Sequence, residues 1–483
     1  MFKISSKRWA HLICLAAFLA GAWALLLKYY FLSYYDWDLA FFSQATWNLC
    51  HGSQYTSLVG INYFGDHSYY FTFLILPIFA LFPHPLTLLL LKLTAFVLSA
   101  YVFYRIIRND HQEWVAVVLM AVYLIFPSNV FALLYEFNPE AFAPVFLFLV
   151  YDFFRREKYV PFVIASVFLC LIKENMPLVI FMFGAFALLT KKKDPVRWGW
   201  GPMIASVLTF LTLVFWIIPL FRQMPQHAFW VRYQHILENP LRFLLKVVTG
   251  NIGYVTDLFG PLLVPVMIAP QNLFFMLPVF GQHIFSNEVA EHTIFYHYGS
   301  AMTPFIFLAA SAGLAKAGKF VKRKAYMGMI ILLILFSIGH VWHFVPAMKS
   351  RLISHKGRLN AERWDMIKSI PAEAAVVATF DFLPPLSLRK SLYSFHMLYD
   401  DFYQDASKLK KGELFKNKVF ELPADVDYAL IDLNDPFLMR AVKEKPDAIG
   451  ERVDAFLKDW QVIRRQGSVV LLRKLSSLSH SNN

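Results

Sequence analysis

The chain is 483 residues long, 58% hydrophobic and only 16% charged, with a formal net charge of +13. An average soluble protein is about half apolar and a quarter charged, so a wholly soluble enzyme or binding module is excluded. A nucleic-acid partner is not expected either, because the basic residues stand between apolar segments rather than clustered on one soluble face.

Apolar segments recur from Leu12 to about Phe344, and most are long enough to cross a hydrocarbon core of roughly 30 Å as helices. We place about eleven transmembrane helices, at 10–34, 86–105, 114–135, 141–154, 159–173, 175–190, 202–221, 250–269, 271–286, 299–315 and 325–344. The first of these is expected to stay as an anchor, since it runs into KYYFLSYYDWD rather than into a small-residue cleavage site. Alternate connections carry the Lys and Arg residues, namely Lys3, Lys7 and Arg8, then Arg105 and Arg108, Arg155 to Lys158, Lys191 to Arg197, and Lys316 to Lys324. The positive-inside rule puts these in the cytoplasm. The connections 36–68, 135–140 and 286–299 hold no Lys or Arg and are assigned to the outside, whereas 221–250 departs from the pattern with Arg222, Arg232, Arg242 and Lys246. The three cysteines, Cys14, Cys50 and Cys170, are scattered and indicate no disulfide framework or metal pair.

The first outer loop, 36–85, opens with DWDLAFFSQATWNLCHG. Leu39, Phe42, Thr46 and Leu49 recur at helical spacing before Gly52, which predicts a short amphipathic helix along the membrane surface. Asp36 and Asp38 fall at its N-terminal end, where the helix dipole favours a carboxylate, and Asp36 reads equally as a simple N-cap. After Asp66-His67, a run of about 15 apolar residues closed by Pro83-His84-Pro85 predicts a second interfacial or re-entrant helix, too short to be a span.

On the same predicted face lie Glu136 and Glu140 in LYEFNPEAF, Lys173 and Glu174 in KEN, and Glu288, Glu291, His292, Tyr296 and His297 in NEVAEHTIFYHYG. Four outer connections rich in carboxylates, histidines or tyrosines suggest one polar pocket at the outer boundary. Bland readings compete with this: a turn for Asp66-His67, a satisfied ion pair for Lys173-Glu174, an aromatic belt for Tyr296. From about Val345 the chain turns polar. AAVVATF and DYALIDL read as buried strands, EKPDAIGERVDAFLKDW as a helix, and WQVIRRQ with SVVLLRK as a hairpin around Gln466-Gly467. Residues 1–345 are thus taken as the transmembrane domain and 346–483 as a small α/β extracytoplasmic domain.

The motifs WDLAFFSQATWNLCHG, GDHSYYFTFLILPIFALFP, YEFNPEAF, IKEN and IFYHYGSAMTPFIFLAA resemble a bacterial membrane family catalogued as domain of unknown function 2079. The resemblance covers essentially the whole chain and implies a relation to the GT-C glycosyltransferases, inner-membrane enzymes that take sugars from polyprenyl-phosphate carriers. The resemblance carries over to Asp38, Asp66-His67 and Lys173-Glu174; with the polar residues of the other outer connections, Asp38, Asp66, His67 and Glu136 are expected to be catalytic. Asp36, Gln44, Lys173, Glu174, Arg222, Arg232, His292, Tyr296 and His297 are expected to bind substrate. Two positions depart from the family pattern: Asn138 stands where His is expected, and Lys92 where Gln is expected. The partners implied are membrane lipid, a polyprenyl-phosphate-linked sugar and an envelope glycan, lipid or protein acceptor. A divalent cation, magnesium or manganese, could bridge Asp38 to Asp66 or Glu136, since hard cations take oxygen ligands. A transporter or lipid flippase, or a non-catalytic envelope-assembly protein, would fit the same hydropathy. A transporter, however, would be expected to place ionisable groups near mid-membrane and to show two related halves.

Overall fold

In the computed structural model the described residues are 5–222, 232–233, 235–238, 240, 247, 249–353, 361–398 and 425–475. Arg242 and Lys246 lie outside them, as does part of the basic stretch that follows Val345. The helices used below are Ser6–Tyr30 (α1), Asp38–Cys50 (α2), Tyr63–Asp66 (α3), Thr72–Leu81 (α4), Pro85–Ile107 (α5), Glu113–Ile125 (α6), Pro127–Leu134 (α7), Ala143–Arg155 (α8), Tyr159–Cys170 (α9), Met176–Leu189 (α10), Val196–Arg222 (α11), Ile252–Ile268 (α12), Leu277–Phe285 (α13), Thr303–Phe320 (α14) and Arg323–Leu352 (α15). Helical structure thus occupies each of the eleven expected segments.

Among the described residues, α1, α5, α11 and α15 are each long and apolar enough to cross a membrane. The expected single span at 114–135 is instead the pair α6 and α7, bent by 47°. Pro127 causes the break: it has no N–H to continue the helix, and it disfavours helical backbone at Phe126, which is extended (φ −61°, ψ 128°). The same residue then starts α7 at its N1 position. The segment after Asp66-His67 forms the ten-residue α4, the short helix expected there.

Contacts sort the connections into two groups. At one end Ser6 Oγ donates to Glu113 (2.5 Å), Arg155 pairs with Asp110 (2.5 Å), and His111 meets the Tyr326 hydroxyl (3.3 Å). These bring together the segments that carry the basic residues. At the other end the first loop, with its small hairpin of Tyr55–Thr56 (β1) and Ile61–Asn62 (β2), meets the C-terminal domain.

That domain is built on Val376–Ala378 (β3), Leu392–Ser394 (β4), Tyr428–Asp432 (β5), Trp460–Gln466 (β6) and Val469–Lys474 (β7), in the order β4-β3-β5-β7-β6. β3 runs parallel to β4 and β5, and β7 is antiparallel to β5 and β6. The helix Pro446–Lys458 lies where the sequence predicts one, and Gly467 makes the hairpin turn at φ 58°. The sequence reading did not include β4 or the helix Pro436–Glu444, which Asp435 caps by accepting from Phe437 N and Leu438 N (both 3.0 Å).

The C-terminal domain rests on α2. Gln44 Nε2 donates to the carbonyls of Arg389 (3.2 Å) and Lys390 (3.3 Å), while Ser57 Oγ accepts from Leu392 N (2.8 Å) and so closes the free edge of β4. Trp364 Nε1 donates to Tyr30 O at the end of α1 (3.0 Å). This corrects two expectations. Ala40, Ser43 and Gln44 on α2 are as buried as Leu39 and Phe42, so the helix is packed on both sides rather than presenting one polar face to solvent. Gln44, with its Oε1 accepting from Leu58 N (3.1 Å), forms a joint between domains and is not among the residues lining the cavity described below.

Candidate active site

Beside the N-terminal end of α2 lies a cavity of about 560 Å³. Asp38, Asp66, His67, Lys173, Glu174, Arg232 and His297 all line it, together with Asn138, Glu140 and Glu291. Seven of the thirteen residues singled out from sequence therefore come together from four connections of the chain.

α2 is placed from below. Its N-cap residue, Trp37, makes no side-chain cap, and the open N–H groups of a helix start need acceptors. Glu136 supplies them from another segment: Oε1 accepts from Asp36 N (2.8 Å) and Oε2 from Leu39 N (2.7 Å). Asp36 is not the cap; its Oδ1 accepts only from Trp37 N (2.9 Å). Beneath Glu136, Lys92 Nζ donates to Tyr135 O (2.8 Å) and Glu136 O (3.0 Å), and Lys28 Nζ to Leu134 O (2.5 Å), so two buried lysine side chains serve the carbonyls that end α7. This accounts for Lys92 as support. Glu136 is 2% exposed and does not line the cavity, so the expectation that it is catalytic gives way to one of support.

Asp38 faces the cavity. The Tyr135 hydroxyl stands 3.0 Å from its Oδ2 and 2.9 Å from Asp36 Oδ2. A phenol has one proton to donate, so two carboxylates share it. Burial, and then the charges of Asp36 and Glu136, push the Asp38 carboxyl well above the ordinary carboxylate value, with Tyr135 opposing and Asp66 adding to the rise. Burial and then Asp36 also push Glu136 up to about 7, against its two backbone hydrogen bonds and the charge of Lys28.

The far wall behaves oppositely. Asn138 Oδ1 accepts from Glu140 N (3.0 Å), starts the short turn Pro139–Phe142 and aims Glu140 at the cavity. Glu140 pairs with Lys173 and lies 3.5 Å from His297 Nε2. Burial alone would raise its carboxyl, but Lys173 and His297 hold it well below the ordinary range. Burial likewise works against the Lys173 ammonium, yet Glu140, Glu174 and Glu291 raise it. His67 Nδ1 meets Glu174 Oε1 (2.6 Å), whose other oxygen accepts from Ser68 N (3.2 Å). Arg232 pairs with Glu291.

Four more expected residues stand off the cavity. Asp36 is one, bonded to the Tyr135 hydroxyl and to Trp37 N. Arg222 packs its backbone on Gly65, where a Cβ would come within 2.8 Å. His292 is tied to Asn251 Oδ1 (2.6 Å) and Ser286 O (2.8 Å). Tyr296 lies under the Arg351 guanidinium at 5.1 Å. Conversely, Glu140 and Glu291, which the sequence places in the outer polar pocket without a catalytic or binding role, line the cavity, and Tyr135, which the sequence does not single out, joins Asp36 to Asp38. Of the two cation bridges expected from Asp38, the one to Glu136 does not fit, because Glu136 does not line the cavity and its two oxygens accept from the backbone N–H groups at the start of α2, whereas Asp66 lines the cavity with Asp38; among the described residues no three His, Cys, Asp or Glu are grouped to hold an ion. The chemistry below is therefore derived from side chains alone.

A helical, largely apolar body with a charged cavity beside the N-terminal end of α2, and a small α/β domain resting on that helix, is the arrangement that the known proteins can be compared with. The chain belongs to the family described as predicted membrane protein (DUF2079), which it matches over residues 28–448. No curated protein matches its sequence. Among solved structures, ArnT from Cupriavidus metallidurans bound to undecaprenyl phosphate matches with TM-score 0.54 at 12% identity, over 96% of this chain and 98% of that one. The same protein in its apo state matches with TM-score 0.49 at 13% identity, over 95% and 98%. The fold is thus shared with ArnT, a GT-C glycosyltransferase.

Proposed function

We propose that this protein is a membrane glycosyltransferase that moves a sugar from a polyprenyl-phosphate donor to an envelope acceptor on the extracytoplasmic side of the bacterial inner membrane. The observation that carries the reading is one cavity holding Asp38 and Asp66 together with Lys173 and Arg232, with an apolar wall from Phe210, Val214 and Phe215 of α11. A donor of this kind has a polar head and an apolar tail, and the two walls match them. ArnT, which shares the fold, has been seen with undecaprenyl phosphate.

The acceptor hydroxyl attacks the anomeric carbon as the bond from that carbon to the phosphate oxygen breaks. Asp38 takes the proton of the hydroxyl; its raised basicity suits that role, and Tyr135 orients it through Oδ2. The phosphate leaves with the electron pair. Lys173 has three N–H donors, of which Glu140 engages one, and the rest meet the charge on the phosphate, with the Arg232 guanidinium adding positive charge on the same wall.

The test is transfer itself. Protein in lipid vesicles is supplied with polyprenyl-phosphate-linked sugars, and mass spectrometry follows lipid-linked sugars and envelope glycans in cells with and without the gene. Release of polyprenyl phosphate with a new glycoside supports the reading. Movement of the intact lipid across the vesicle without cleavage would replace it with a flippase. Sidedness is tested by a reporter active only outside the cytoplasm, expected to work after Ser57 or at the C-terminus and to fail after Lys193 or Lys319.

A further inference from the structure

Of the four helices among the described residues that are long and apolar enough to cross a membrane, α11 is the one that lines the cavity, through Phe210, Val214, Phe215 and Pro219. It is also the barest of the four, with only 11% of its most apolar stretch buried. Phe215 lines the cavity and is still 69% exposed, and Trp216 beside it is 71% exposed. On this side a single helix stands between the cavity and the lipid.

α11 is not a plain α-helix. Ile218 N donates to Leu213 O and Gly201 N to Val196 O, each reaching five residues back instead of four. Both wide turns close on the residue just before a proline, Pro219 and Pro202. A proline has no N–H and its ring crowds the carbonyl four residues back, and widening the preceding turn relieves this. Helices bend at such turns.

Glycines fix α11 on either side of the second wide turn. A Cβ on Gly184 would come within 2.6 Å of Gly199 O, so α10 and α11 touch there backbone to backbone. At the other end a Cβ on Gly65 would come within 2.8 Å of Arg222 Cα, and the Phe64 and Phe221 ring centroids are 5.8 Å apart. The stretch Ile218–Arg222 is thus a short lever, with a bending point at Leu213–Ile217 and its tip latched on α3.

A lipid-linked donor keeps its tail in the membrane, because lifting the tail through water would expose all of its apolar surface. Its head must therefore enter sideways, through the wall. We propose that Ile218–Arg222 swings at the Leu213–Ile217 turn as a side door through which the lipid phosphate enters and leaves the cavity, with Gly65 as the latch. This rests on the reading of the cavity as a donor site, and it adds how that site is loaded.

The experiment times the exchange of radiolabelled undecaprenyl phosphate on the full chain in micelles, by chase with unlabelled lipid. Gly65→Ala sets a methyl group against the Arg222 backbone and releases the latch. Uptake and release should both quicken by about tenfold, within the one to three decades over which on-rates differ among variants of one site, so affinity should hardly change. Phe64→Cys with Phe221→Cys, in a chain that also carries Cys14→Ser, Cys50→Ser and Cys170→Ser, should bridge on oxidation. The bridged protein should release a preloaded lipid and admit a new one about tenfold more slowly, and reduction should restore both rates. A bridged protein that exchanges lipid as fast as the reduced one, a pair that does not bridge, or a Gly65→Ala protein no faster than the wild type each overturns the proposal. A wild type that holds no undecaprenyl phosphate overturns the donor reading, and the door with it.

Discussion

The support beneath α2 and the cavity wall beside it use the same residue type to opposite ends. Glu136 and Glu140 come from one loop and are both buried. Glu136 has backbone N–H groups for partners and further carboxylates as neighbours, and its pKa rises to about 7. Glu140 has a lysine and a histidine, and its pKa falls. What a buried carboxylate does follows from its partners: amides make it a strut, and cations make it part of a charged wall that a ligand can meet.

The largest effect should come from the wall. Glu140→Gln leaves the Lys173 ammonium buried without its carboxylate, and breaking such a pair costs about 3–5 kcal/mol. Thermal unfolding should show the loss, and transfer should fall with it because Lys173 is no longer held. A variant that melts like the wild type would break the contrast at once.

The strut should be milder. In Glu136→Gln one amide oxygen replaces two carboxylate acceptors, leaving one α2 N–H unmet at about 1–3 kcal/mol. The neutral side chain is close to the form that a carboxyl with pKa about 7 already adopts near neutrality. Transfer per folded molecule should stay near that of the wild type. A loss as large as that of Glu140→Gln, or a change in donor affinity, would show that Glu136 belongs to the cavity after all. Gln44→Leu should be smaller still, about 1 kcal/mol for each hydrogen bond lost at the domain joint. It should lower the melting temperature and the turnover together, with donor affinity unchanged.

The finest distinction is in pH. Glu136 has a folded pKa above the ordinary 4.5, so the folded state holds more protons and its contribution to stability decreases as pH rises from about 4.5 to 7. Glu140 has a folded pKa below that value, so its contribution is present above about 4.5 and is lost as pH falls below it. Comparing melting temperatures of the wild type with each Gln variant across these two windows should give slopes of opposite sign. Slopes of the same sign would contradict the contrast.

Much of this was legible in the sequence. The start of α2, its stop at Gly52, and the convergence of Asp38, Asp66, His67, Lys173 and His297 follow from helical spacing and from the alternation of basic and acidic connections. The hairpin and two of the central strands of the C-terminal domain read directly from their apolar runs. Other features were not legible, for identifiable reasons. Gln44 and the buried outer face of α2 depend on a domain more than 300 residues downstream, as the bond to Arg389 illustrates. β4 is three residues long, too short for any period to show. The choice between Glu136 and Glu140 rests on which side of the loop each side chain takes, and the Pro139 turn decides that only in three dimensions.

The most direct test of the whole account is transfer by Asp38→Asn in reconstituted vesicles, with Asp36→Asn beside it. The substitution keeps size and helix geometry, removes the base, and relieves the repulsion from Asp36 and Glu136, so the protein should melt no lower than the wild type. The rate of sugar transfer should fall by roughly 10² or more, while Asp36→Asn, which removes a neighbouring charge but leaves the Asp38 carboxylate in place, should cost less. If Asp38→Asn folds, inserts and transfers sugar at the wild-type rate, Asp38 is not the base and the account of this cavity is wrong.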